Sequence, residues 1–223
     1  MASEYLKRKY QDVKPDPKRE LTPAEKRKNW WHYHWQYLLI AAAALLALGG
    51  IVWEQVTRVE PDCCVALVTR YAVTPEETAA LRQALEGVCP DTNGDGKVSV
   101  AVSTMEIDYA SASLDEAAVM AMTANVDKLN ADFYTMQSGI FLLDDPESFQ
   151  KNHQALCYLD GSEPPEGAAD WENMTVPFAD GPAAGMTFLN LKPEELYFAR
   201  RAAVTPEEQS AFAGANALWD AMF

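Results

Sequence analysis

Three groups of side chains in this sequence have the types and spacing for chemistry. The first follows three apolar runs: Arg70 and Tyr71 after Cys64–Thr69, Glu106 and Asp108 after the alternating valines at 98–102, and Asp144 and Asp145 after Ile140–Leu143. One cation among four carboxylates suits a cationic small solute, a peptide or a basic partner. Asp145 also has a plainer reading, because Asp-Pro-Glu is a helix N-cap with proline at the first helical position. The second group is Asp91, Asn93, Asp95 and Gly96, which match positions 1, 3, 5 and 6 of an EF-hand calcium loop. Position 9 of that loop falls on Ser99 and position 12, which needs a bidentate acid, falls on Val102. A structural calcium ion and an ordinary Asn-Gly/Asp-Gly turn both remain open. The third group is the four cysteines, Cys63, Cys64, Cys89 and Cys157.

No constellation for covalent or acid–base catalysis accompanies them. His32 and His34 lie in an aromatic segment before an apolar run, and His153 has no nucleophile near it in sequence. There is no G-x-S-x-G elbow, H-E-x-x-H helix or glycine-rich phosphate loop. The chain is expected not to be an enzyme, and no cofactor beyond the calcium ion is expected.

The elements that must hold these residues follow from periodicity. Cys64–Thr69 is a continuous apolar run, suited to a strand buried on both faces. Thr74-Pro75-Glu76-Glu77 is a capping box that opens a helix carrying Leu81, Leu85 and Val88 and ending near Gly87. Val98, Val100 and Val102 alternate through Ile107 as a second strand. A helix starting near Ser113 carries Val119, Met122, Val126, Leu129, Phe133 and Met136 on one stripe. Gly139–Leu143 is a third strand, and a helix over 146–157 follows. The order β-α-β-α-β-α predicts a three-layer α/β domain with a mostly parallel sheet. In the C-terminal third, 174–178 and 186–191 are expected as two further strands. Lys192-Pro193-Glu194-Glu195 is expected to open a short helix, and Thr205-Pro206-Glu207-Glu208 a last one ending near Met222.

Ahead of this domain stands Tyr37–Trp53, 17 residues without a charge. As a helix it spans about 26 Å, close to a ~30 Å hydrocarbon core. Trp30, Trp31, Tyr33, Trp35 and Trp53 flank it as interfacial rings do. Thr22-Pro23-Ala24-Glu25 is a capping box from which one helix runs on into the apolar run, whereas Lys14-Pro15-Asp16-Pro17 breaks regular structure. The organisation read from this is a basic tail over 1–35, a transmembrane helix over 36–54, a linker over 55–62 and a folded domain over 63–223. Residues 1–53 carry a net charge of +4 and the rest −19. Lys26-Arg27-Lys28 lies on the N-terminal side, so the N-terminus is expected in the cytosol and the acidic domain outside the membrane. No A-x-A site follows the run, which favours an uncleaved signal anchor over a cleaved signal peptide. A domain at −19 repels nucleic acid, and nucleic-acid binding is excluded from the expectations.

Within the β-α-β-α-β-α order, the starts of strands and the ends of crossover helices share one edge of a sheet. All four cysteines therefore gather opposite the polar set at the strand ends. Outside the membrane disulfides are permitted, and four cysteines allow three pairings. The favoured ones join Cys63 and Cys64 each to one of Cys89 and Cys157. Free buried thiols are the alternative.

Val65–Tyr71, the D-T-N-G-D-G-K-V turn at 91–98 and Ile140-Phe141-Leu142-Leu143-Asp144-Asp145-Pro146-Glu147 resemble, in kind and order, the first lobe of extracytoplasmic solute-binding proteins of the type 2 periplasmic-binding fold, in particular small membrane-anchored relatives of Firmicutes type. The resemblance covers about 64–150. Two-lobed clamps of that family run to about 300 residues, so the expectation is a single lobe. What it implies is a membrane-anchored binding module for a small solute or peptide. The competing expectation is a non-catalytic accessory subunit that pairs with another membrane protein.

Overall fold

The computed structural model describes residues 20, 22–57, 60–110 and 116–223. The tail through residue 19, with its Lys14–Pro17 break, and the helix start near Ser113 lie outside the described residues. The chain separates into two units, Met1–Arg58 and Val59–Phe223. In the first, helix α1 runs over Pro23–Thr57. Its start has the expected capping box, with Thr22 N–H donating to Glu25 Oε2 at 2.9 Å and Glu25 N–H donating to Thr22 Oγ1. At 1.5 Å per residue, its 35 residues rise about 52 Å. The helix is long and apolar enough to cross a membrane, and its apolar side chains are exposed on all sides, Leu46 to 78%.

The second unit is α/β. Strands β1 (Cys63–Thr69), β2 (Val100–Glu106), β3 (Ile140–Leu143), β4 (Thr175–Pro177) and β5 (Tyr197–Arg200) form one sheet in the order β2-β1-β3-β5-β4. Helices α2 (Pro75–Glu86), α3 (Glu116–Thr135), α4 (Pro146–His153), α5 (Pro206–Ala211) and α6 (Ala213–Met222) complete it. The β1–β2 and β1–β3 pairings are parallel, and β3–β5 and β4–β5 are antiparallel. The sheet is therefore mixed. The expected parallel order holds over β1–β3 and ends where β5 enters in the opposite direction.

Alternation along the strands fills two core layers. Val65, Leu67, Ile140, Leu142 and Phe198 face α2 and α6, against Leu81, Leu85, Leu218 and Trp219. Ala66, Val68, Phe141, Leu143 and Ala199 face the other way, onto Leu129 of α3 and Phe149 of α4. Every residue of β3 is buried, as a central strand covered on both faces requires. Both V-T-P-E-E strings are complete capping boxes, at Thr74/Glu77 and Thr205/Glu208.

Three sequence expectations fail in the C-terminal third. Residues 186–191 are not a strand, and Pro193–Glu195 is a single 3-10 turn that leads directly into β5. The predicted last helix is two, broken at Phe212. The reason for the break is packing. The second segment crosses the sheet edge so closely that a Cβ on Gly214 would lie 1.8 Å from Asp62 O, and one on Gly139 would lie 2.4 Å from Ala215 Cβ. Asp62, read as linker, is buried and organises that edge. Its carboxylate accepts from the N–H of Thr92 at 2.7 Å, of Asn93 at 3.1 Å and of Ser99 at 3.0 Å. Burial pushes its pKa up, but those N–H groups outweigh it and hold the group below the usual carboxylate range.

Candidate functional site

At the carboxyl edge the topology separates two loops. The chain leaves β1 toward β2 on one side and leaves β3 toward the C-terminal strands on the other. Such a divergence opens a crevice above neighbouring parallel strands, where ligands of α/β sheets collect. Arg70 and Asp144 stand there, each just past the end of its strand. Arg70 donates twice to Asp144 Oδ2, from its backbone N–H at 2.9 Å and from Nε at 3.1 Å. Its Nη2 lies 3.7 Å from Glu195 Oε2, and Lys192 pairs with Glu195 in turn. The hydrogen bond to Asp144 raises the Arg70 pKa further. The Asp144 side chain is only 4% exposed, and burial pushes its pKa up against the opposing pull of Arg70.

A recess of about 360 Å³ opens here, lined by Arg70, Tyr71, Asp144, Asn190, Lys192 and Glu195. A smaller one of about 150 Å³ joins Arg70 to Glu106 and Asp108 beside α3. Tyr71 and Glu106 also share a third, of about 160 Å³. Arg70, Tyr71, Glu106, Asp108 and Asp144 are thus brought together around one guanidinium. Asp145 is not among the residues lining these recesses. It caps α4, accepting from Ser148 N–H at 3.1 Å. The sequence reading missed Asn190, Lys192 and Glu195. They come from a loop that Glu77 ties down by accepting from Leu189 N–H while it caps α2. Lys192 adds a second cation and Glu195 a further carboxylate, so the rim carries both signs and stays acidic on balance.

The Asp91–Asp95 turn is closed in part by its own side chains and in part by Asp62 and Glu60. Asp91 accepts from Gly94 N–H at 2.6 Å and from Gly96 N–H at 2.9 Å, Asn93 from Asp95 N–H, and Asp95 from Lys97 N–H. Gly94 and Gly96 take φ of +73° and +78°, which the turn requires and glycine permits. Val102 stands in β2 and offers no oxygen from its side chain. Among the described residues no group of three or more His, Cys, Asp or Glu side chains is placed to hold a metal ion. These bonds are those of an ordinary Asx turn.

All four cysteines are free thiols. The expected pairing of Cys63 and Cys64 with Cys89 and Cys157 is not formed. Adjacent strand residues face opposite sides of a sheet, so Cys63 shares a core layer with Cys89 and Cys64 does not. Burial raises every one of these thiols, Cys89 to about 11, which keeps them protonated and poorly nucleophilic.

The opposite, amino edge of the sheet holds a cavity of about 490 Å³ between the end of α4, the 163–166 loop and the segment after β5. Arg201 lines it. The guanidinium carbon lies 5.1 Å from the Phe133 ring and 4.8 Å from the Phe212 ring, and Nη2 donates to Phe133 O at 2.9 Å. Nη1 is enclosed without an acceptor, and burial lowers the pKa of the group. His153 also lines the cavity, with Nε2 2.9 Å from Tyr109 Oη, inside a box of Phe133 and Phe149. Burial lowers the pKa of His153. Neither Arg201 nor the Tyr109–His153 pair was read as a site from sequence.

No protein-family model matches this chain, and neither a curated protein nor a solved structure matches it.

Proposed function

We propose that this chain is a membrane-anchored binding module. In this reading α1 crosses the bilayer as an uncleaved signal anchor, with Lys26-Arg27-Lys28 on the cytosolic side and the acidic α/β domain outside. The domain acts as a single lobe, comparable to one half of a solute-binding protein, and offers the Arg70 crevice to a small polar solute or a peptide. The observation that carries this reading is the position of Arg70. It sits where the chain departs from β1 and β3 in opposite directions, flanked by Asp144, Glu195 and Lys192 under a tethered loop. Paired charges of both signs in a recess match polar ligands better than apolar ones.

The test uses the full chain in detergent micelles. Its melting temperature is followed across panels of dipeptides, polyamines and sugars, because a ligand that binds only the folded state raises it. The expected result is a shift with one ligand class that disappears in Arg70→Ala and in Lys192→Ala. A shift untouched by both substitutions would move the site elsewhere, and no shift with any class would sink the reading. Protease treatment of intact cells checks the orientation. Digestion of the α/β domain is expected, and protection of it overturns the assigned topology.

A second reading, an accessory subunit of a membrane complex, is favoured by one surface. The stretch 117–126 of α3 has no charge, and Val119 and Met120 on it are 48% and 69% exposed. A photo-crosslink from position 120 to a single membrane protein in cells would favour this reading over the first.

A further inference from the structure

The amino-edge cavity is larger than any recess around Arg70, and three of its features specify a ligand. First, the Arg201 side chain is half-buried and makes one hydrogen bond, to Phe133 O, with no contact ion pair among the described residues. A guanidinium sandwiched between rings has lost hydration; the Asp132 and Glu208 carboxylates act on it only at a distance, Nη1 has no acceptor, and its planar fork matches a carboxylate. Second, Phe133, Pro164, Pro165 and Val204 provide apolar wall, enough for a short aliphatic body. Third, Glu163 and Glu166 line the same cavity from an exposed loop, and neither has a hydrogen-bond or ion-pair partner among the described residues. Glu208, the other carboxylate there, is committed to the N–H groups of Val204 and Thr205. Two uncommitted carboxylates disfavour a dianion and favour an ammonium group.

We propose that this cavity binds a small aliphatic zwitterion, its carboxylate on Arg201, its ammonium group on Glu163 and Glu166, and its side chain against Phe133 and the prolines. The site is separate from the Arg70 crevice and does not depend on it.

The experiment is titration calorimetry on the full chain in detergent micelles with three probes. They are L-leucine, 3-methylbutylamine, which lacks the carboxylate, and N-acetyl-leucine, which lacks the ammonium. Leucine is expected to bind saturably at one site, and loss of either charge to weaken binding about tenfold or more. Arg201→Met should weaken leucine to a similar degree. Glu163→Gln combined with Glu166→Gln, on an exposed loop where folding is little affected, should weaken leucine and leave N-acetyl-leucine unchanged. Arg70→Ala should leave leucine binding intact, which separates this site from the rim. Absence of leucine binding at millimolar concentration overturns the proposal. So does equal binding of all three probes, or full leucine affinity in the Glu163/Glu166 double variant.

Discussion

At the carboxyl edge of the sheet Arg70 has its charge answered from two sides, by Asp144 and Glu195, whereas at the amino edge Arg201 lies between two phenyl rings with one carbonyl to donate to. The two arginines are alike in type and are both partly enclosed. Topology makes the difference. Parallel pairing places the ends of β1 and β3 side by side, so the residue after each strand meets the other, and one of the two is an aspartate. Antiparallel pairing carries the end of β5 past the start of β3, where the neighbouring chain is Gly139, and Arg201 N–H meets its carbonyl. One edge is closed by its own charges and the other is left with an enclosed donor that has no acceptor. Which strands run together therefore decides whether a charged group is answered by a partner across the sheet.

The most severe way to break this comparison is to remove what fixes the amino edge. Asp62→Ala deletes a buried acceptor and orphans the N–H groups of Thr92, Asn93 and Ser99. Each orphaned buried donor costs roughly 1–3 kcal/mol, partly recovered by water at this half-open turn, so a net loss of about 3 kcal/mol is expected. For a domain of this size that lowers the melting temperature by roughly 10 °C. A thermal scan showing no change would mean that the turn is held by its own Asx bonds alone.

The next test sets the two arginines side by side. Asp144→Ala strands Arg70 beside a buried void and leaves its backbone N–H without an acceptor. Because the Arg70 side chain is 33% exposed and keeps Glu195, the expected loss is moderate, about 2 kcal/mol. Arg201→Met removes a charge that has no contact ion pair among the described residues, on which Asp132 and Glu208 act only at a distance, and keeps the volume between Phe133 and Phe212. Its expected effect is under ~1 kcal/mol in either direction, since lost cation–π attraction offsets relieved desolvation. Chemical denaturation of both variants gives the ratio. If Arg201→Met proves the more destabilising of the two, Arg201 is a structural residue and the contrast collapses.

Much of the carboxyl edge was legible in the sequence and little of the amino edge was. Arg70, Glu106 and Asp144 announce themselves because each follows an apolar run that can only be a buried strand. The capping boxes are equally local, and both close as Thr-Pro-Glu-Glu predicts. Strand β5 is not local. Tyr197–Arg200 is four residues after a proline turn rich in glutamate, and only its pairing with β3 and β4 makes it a strand. Lys192 and Glu195 were missed with it, because a loop tethered by Glu77 brings them to Arg70 from more than a hundred residues away. Asp62 has the composition of a linker, and nothing in Glu60-Pro61-Asp62 foretells three donors arriving from the 92–99 turn. The doublet Arg200-Arg201 gives no sign of which guanidinium enters a cavity. On α3 the apolar stripe packs through Leu129 and Phe133, but Val119 at its start stays exposed, so periodicity located a face without showing how much of it is covered.

The smallest expected effect is a pH dependence confined to the amino edge. His153 sits neutral in its aromatic box against Tyr109, and burial holds its pKa below the ordinary 6.5. The unfolded chain, with this group at its usual value, therefore binds more protons than the folded one once the pH drops below about 6.5. Stability from His153 is fully present above that value, is lost as the pH falls from it toward the lower folded pKa, and changes no further below. Carboxylates held low, such as Asp62, lose their contribution as the pH falls toward and below 3.8, while Asp144, held high by burial, acts above 3.8 with the opposite sign; both are common to wild type and variant, so their difference isolates His153. Melting curves of the wild type are expected to shift downward across the window, and those of His153→Gln to stay flatter there. If instead the two profiles run parallel, His153 is already solvated in the folded domain, and the amino-edge cavity is wetter and less able to strengthen a charge pair at Arg201 than its rings imply.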